Sequence, residues 1–91
     1  MKLPRAISVP AASGDEYFHI YRGTPDEMVA VMAEEMGAKS VGETVSDVLA
    51  AIALHRKIVI RLPEGLDDEK LATLFVFALL DTKIASPLPQ A

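Results

Sequence analysis

The sequence predicts a small α/β domain with the element order β-α-α-β-α, followed by a possible short final strand. The segment EYFHIYR (residues 16–22) is aromatic and β-branched, which is typical of a strand. The segment KIVIRLP (residues 57–63) is the second predicted strand, and its continuous apolar run Ile58–Ile60 is typical of a strand buried on both faces. Two helical patterns separate these segments, and such a crossover implies parallel pairing. We therefore expect a two- or three-stranded parallel sheet packed by helices.

The residues before the first strand contain two prolines, two serines and a glycine. We interpret residues 1–15 as an extended or flexible N-terminal arm, residues 16–86 as a single α/β domain, and residues 87–91 as a flexible tail. In the strand at 16–22, side chains alternate between faces. Tyr17, His19 and Tyr21 therefore share one face, and Phe18 and Ile20 share the other.

The first helix has the clearest start in the chain. Thr24 is an N-cap, Pro25 fits the first helical position, and Glu27 completes a capping box. The helix is predicted to run to about Met36, and Gly37 ends it as a C-cap. Its apolar stripe is formed by Met28, Val29, Met32 and Met36.

The second helix has two possible starts, because Ser40 with Glu43 and Thr44 with Asp47 both have capping-box spacing. We favour a helix from about Thr44 to His55. A third helix is predicted from about Asp67 to Leu80, with acidic residues in its first turn. A short third strand could follow around residues 83–85.

The third helix contains ten uncharged residues, Leu71–Leu80, and apolar side chains cover most of its circumference. This run is about half the length that a membrane-spanning helix needs. Such a helix is either buried on several sides or shared with another chain. We therefore predict a homodimer as well as a core role, with Phe77, Leu80 and Val76 as the self-association residues.

The composition excludes several classes of function. The 91 residues include no cysteine, which removes disulfides, thiol catalysis and cysteine zinc sites. The net charge of −4 disfavours a nucleic-acid partner. The N-terminal residues lack the apolar stretch of a signal peptide, so we expect a cytoplasmic protein without a membrane partner. No nucleophile motif is present, so we predict no catalytic residue, no cofactor and no enzyme activity.

Two alternatives use other parts of the chain. A small ligand or divalent metal could bind at the strand-end loops around Gly23 and Gly65, beside the acidic first turns of two helices. The same acids are explained by helix capping, and no nucleotide-binding motif is present. A helix-turn-helix over residues 31–52, with residues 56–65 as a wing, is a third interpretation, but its helices are acidic.

The element order is similar to that of the barstar family of intracellular ribonuclease inhibitors. SVGETVSDVLAAI resembles the second-helix region of that family, with Gly42-Glu43 and the apolar positions Val45, Val48 and Leu49 matching. The family's inhibitory acids align here with Ser46 and Ala50. The resemblance covers about residues 16–86 and implies a parallel sheet and an inhibitor function.

Taken together, these observations predict a small non-enzymatic protein that acts by protein–protein contact, with an inhibitor or immunity-type protein as the sharpest form. Glu43 and Asp47 on the second helix are the predicted partner-binding residues. The hydrophobic fraction of 51 % and the mean hydropathy of +0.26 are high for a chain with so little interior. This apolar excess favours self-association.

Overall fold

The computed structural model describes residues 3–10 and 18–88. The elements are strand β1 (Ala6–Pro10), strand β2 (Phe18–Arg22), helix α1 (Pro25–Met36), helix α2 (Val41–Arg56), helix α3 (Asp68–Asp81) and strand β3 (Ser86–Pro87). The predictions for residues 1–2, 11–17 and 89–91 lie outside the described residues.

The described sheet has three strands in the order β2-β1-β3, and both pairs are antiparallel. The predicted parallel sheet is therefore wrong. Residues 6–10 are extended as expected, but they form the central strand instead of a loose edge. Ile7 of β1 is fully buried and belongs to the same core as the helices. The resemblance to barstar implied a parallel sheet, so it loses that support.

The segment 57–63, predicted as a buried strand, is in no strand. Ile58, Ile60 and Leu62 pack against the core, whereas Val59 between them is 69 % exposed. The run is therefore buried on one side only. A short apolar run does not specify a hydrogen-bonding partner, and in the described sheet β1 already has a neighbour on each side.

The helices follow their local signals. Thr24 accepts from the Glu27 backbone N–H while the Glu27 side chain accepts from the Thr24 N–H, which forms the predicted capping box. Gly37 ends α1 in the left-handed conformation at φ 70°. Helix α2 starts at the Ser40 cap, so the favoured start at Thr44 is wrong and the alternative Ser40 start is correct. Asp67 caps α3.

The core lies between the inner face of the sheet and the three helices, which pack against one another. Helix α3 supplies four of the fully buried core residues, Ala72, Phe75, Val76 and Leu79. The predicted final strand is present as β3 at Ser86–Pro87, a little later than expected, and it pairs with β1. The molecule is thus a two-layer α/β domain.

Candidate functional site

The inner face of β2 is joined to α1 by a hydrogen bond. The Tyr21 hydroxyl donates to Glu35 Oε1 at 2.7 Å, and the His19 ring stacks on the Tyr21 ring with 6.2 Å between centroids. His19 Nδ1 lies 3.7 Å from Glu35 Oε2, which is beyond hydrogen-bonding distance. Burial, and then the hydrogen bond to Glu35, raise the pKa of the Tyr21 phenol well above its ordinary value. Tyr21 therefore acts as a neutral donor that positions Glu35.

A cavity of about 340 Å³ opens beside this pair. Its floor is apolar and consists of the buried side chains Met32, Ile52, Leu79 and Ile84. Its polar lining residues are His19, Tyr21, Glu35, Asp47 and Arg56. Among the described residues, every buried side-chain polar atom has a hydrogen-bond partner. The floor can therefore accept apolar groups without leaving a buried polar atom unpaired.

The outer side of β2 combines a free sheet edge with exposed apolar side chains. Within the described sheet, β2 has a strand neighbour on one side only. The Gly23 N–H donates to the Arg5 carbonyl at 2.7 Å, so this pair directs its backbone groups inward. Because backbone groups alternate along an antiparallel strand, those of Phe18, Ile20 and Arg22 point to the free edge. The side chains of Phe18 and Ile20 are 66 % and 54 % exposed.

The two predicted partner-binding residues are exposed and lie one turn apart on α2. The Glu43 backbone N–H donates to Ser40 Oγ at 3.0 Å, and its carboxylate accepts from the Lys39 N–H at 3.4 Å. Glu43 therefore helps to cap the helix. Asp47 lines the cavity and Glu43 does not, so the structure separates the roles of the two acids.

The three predicted self-association residues have different environments. Val76 has no exposed surface and packs in the chain's own core. Leu80 is partly buried against that core. Phe77 is 37 % exposed, as is Leu74 one turn earlier. The self-association role of Phe77 and Leu80 stays a prediction, and Val76 has no surface with which to contact a second chain.

The predicted ligand site at two strand ends is not formed, because residues 57–63 are not in the sheet and the loop at Gly65 follows no strand. Near these loops, the side chains of Glu27 and Asp67 accept backbone hydrogen bonds at helix starts. Among the described residues, no group of three or more His, Asp or Glu side chains could hold a metal ion.

The wing of the helix-turn-helix interpretation is also not formed, because residues 56–65 contain no strand. Two acids, Glu43 and Asp47, are exposed on the first half of α2, where phosphate contacts would be needed. In the part of the chain that the structure describes, no helix has the length and apolar character needed to cross a bilayer.

Comparison with protein-family models, curated proteins and solved structures found no match for this chain. The resemblance to the barstar family therefore stays a prediction.

Sequence reasoning missed the residue that organises the inner face of β2. Glu35 lies 14 positions from Tyr21 and is one of two adjacent acids near the end of α1. Its spacing gives no sign of which strand it meets. The shared face of His19 and Tyr21 could be predicted from alternation, and their common position beside the cavity confirms it.

Proposed function

We propose that this chain is a non-enzymatic protein that acts by protein–protein contact, and that its first partner is a second copy bound along the edge of β2. One observation carries the proposal. The residues whose backbone groups point to the free edge, Phe18, Ile20 and Arg22, include the two exposed apolar side chains of the strand. An edge of this kind is a template for another strand.

The edge is self-complementary in one register. If two β2 strands pair antiparallel about a two-fold axis at Ile20, each Ile20 faces its equivalent across a hydrogen-bonded pair. Phe18 then lies opposite Arg22 of the second copy, and Arg22 lies opposite its Phe18. An arginine beside an aromatic ring gains packing and a cation–π contact. This charge and shape match favours a second copy over an unrelated strand.

Within the described residues of β2, several usual forms of protection against pairing are absent. Natural edge strands are commonly blocked by lysine, proline, a bulge or a covering segment. β2 contains neither lysine nor proline, and its five residues pair with β1 in continuous register. The single permanently charged residue of β2, Arg22, would lie opposite Phe18 of the second copy in the proposed pair.

The experiment is a measurement of solution mass by sedimentation over a range of concentrations, for the wild type and for two variants. Ile20→Lys places a charge at the centre of the proposed interface, and we expect a monomer. Phe77→Lys is the matched control on α3, and we expect it to remain dimeric. Circular dichroism checks that each variant is folded.

Two results would overturn this proposal. A wild type that stays monomeric at high concentration removes self-association altogether. A dimer that Phe77→Lys dissociates and Ile20→Lys leaves intact would place the interface on α3, where the sequence predicted it.

A more specific version of the same proposal is that the chain inhibits another protein and that it acts in the cytoplasm. Its support is the pair of exposed acids, Glu43 and Asp47, on one side of α2. Addition of the chain to a small secreted ribonuclease should then slow RNA hydrolysis, and Glu43→Gln with Asp47→Asn should abolish the effect. Unchanged hydrolysis would remove this form without affecting the pairing of β2.

A further inference from the structure

We propose that the cavity between β2, α1 and α2 binds a small molecule with an apolar body and a positively charged amine head. This site is separate from the free edge of β2. His19 and Tyr21 border the cavity, whereas the side chains of Phe18 and Ile20 lie on the other face of the strand. The inference rests on the shape and lining of the cavity, on the free acceptor positions of Glu35, and on the balance of charge around it.

The apolar body is indicated by the floor. Met32, Ile52, Leu79 and Ile84 offer only aliphatic and thioether surface. The volume of about 340 Å³ is at the lower end of the range for small-molecule sites. Methionine side chains adapt to irregular shapes, so Met32, and Met36 beside it in the lining, favour a flexible alkyl or small ring body.

The amine head is indicated first by Glu35. Its Oε1 accepts a hydrogen bond from the Tyr21 hydroxyl. Its Oε2 lies 3.7 Å from His19 Nδ1, which is too far for a hydrogen bond. A carboxylate offers about four acceptor positions on its two oxygens. An ammonium group supplies three donors and no acceptor, so it matches a carboxylate that is held in place and has acceptor positions left over.

The charge balance points the same way. Glu35 and Asp47 both line the cavity, and α1 presents its negative C-terminal end there without a basic residue in its last turn. Arg56 is nine residues beyond Asp47 on α2, roughly 13.5 Å along the helix axis. The fixed charges that line the cavity are thus two carboxylates and one guanidinium, a net negative charge. This excess of negative charge favours an amine head over an anionic one.

The test uses three probes with one alkyl body and different heads: n-octylamine, n-octanol and n-octanoate. Isothermal titration of the full chain should rank them amine first, alcohol second and carboxylate last. Glu35→Gln keeps the size and the acceptor for Tyr21 but removes the charge. We expect it to weaken octylamine binding by roughly tenfold or more, which is the size of a charge-assisted hydrogen bond, with little change for octanol.

Three control variants keep the result interpretable. Glu34→Gln changes the net charge equally but lies outside the cavity lining, so it should leave octylamine binding unchanged. Asp47→Asn tests the second acid and should weaken octylamine binding without affecting octanol. Ala51→Phe fills the cavity from α2 and should abolish binding of all three probes, with circular dichroism showing that the helices are intact.

The proposal is overturned by any of three outcomes. One is that octanoate binds as tightly as octylamine. Another is that Glu35→Gln and Asp47→Asn, both folded, bind octylamine as the wild type does. The third is that no probe gives heat or shifts the amide resonances of Ala51 and Ile84. Ile20→Lys should bind octylamine normally, so failure of this site and failure of the β2 dimer can be told apart.

Discussion

Tyr21 is the residue through which β2 is attached to α1. It is 7 % exposed, and its hydroxyl donates to Glu35 at 2.7 Å. We expect Tyr21→Phe to lower the free energy of unfolding by about 1 kcal/mol near neutral pH, because the hydrogen bond is lost while the ring still packs. Urea unfolding followed by circular dichroism measures the difference.

The same pair predicts a pH dependence. Burial, and then the Glu35 bond, raise the pKa of the folded Tyr21 above its ordinary value of 10.0. The stability from this protonated phenol is fully present below pH 10.0 and is lost as the pH rises above it, because only the unfolded phenol ionises there. The difference in unfolding free energy between wild type and Tyr21→Phe should shrink above that pH. Tyr17 is present in both proteins, so a constant difference would contradict the prediction.

The residues of the candidate site were only partly predictable. Alternation along residues 16–22 placed His19 and Tyr21 on one face, since that rule is local. Glu35 reaches Tyr21 through tertiary packing, and no local pattern distinguishes it from Glu34. Asp47 is a predicted partner-contact residue, but no local pattern shows that it lines a cavity.

At the scale of elements, α3 is chiefly a core helix with one exposed edge. Phe75 is fully buried and Phe77 is 37 % exposed. Phe75→Ala should lower the free energy of unfolding by about 3–5 kcal/mol, because it removes apolar burial and leaves a cavity. Phe77→Ala should cost less, about 1–2 kcal/mol, because 37 % of Phe77 is already exposed and water can enter the space that the ring leaves. Urea unfolding of the two variants compares them directly.

The comparison must be made below the concentration at which the chain associates, so that only the monomer contributes. Equal losses would mean that α3 is enclosed on both sides within the monomer, which would contradict the 37 % exposure of Phe77. A larger loss for Phe77→Ala than for Phe75→Ala would contradict the packing of α3 as described.

Helices were predicted better than strands because their signals are local. The capping box at Thr24 and the glycine at 37 decide where α1 begins and ends within a few residues of themselves. Strand pairing depends on distant residues, so the local pattern of residues 6–10, with Pro10 at the end, does not show that they form the central strand β1. The run at 58–60 has strand composition, but its alternate residues pack on the core without a ladder.

At the scale of the whole molecule, β2 has two distinct sides. Its inner side chains, His19 and Tyr21, border the cavity, and the backbone of Phe18, Ile20 and Arg22 faces the open edge. A second copy at that edge would extend the sheet without covering the cavity floor, which lies between the sheet and the helices. Pairing and ligand binding are therefore compatible in one molecule.

The proposed dimer makes thermal stability depend on protein concentration. If two 91-residue chains unfold together, each tenfold rise in concentration adds about 1.4 kcal/mol to the stability of the dimer. For a folded unit of this size, the melting temperature should rise by roughly 3–5 °C per tenfold step.

Ile20→Lys should remove the dependence, because an unpaired lysine on the edge prevents strand addition. Phe77→Lys should keep it, and calorimetry at three concentrations of each protein measures both. A melting temperature that is the same at every concentration for the wild type would show that the edge of β2 remains unpaired in solution.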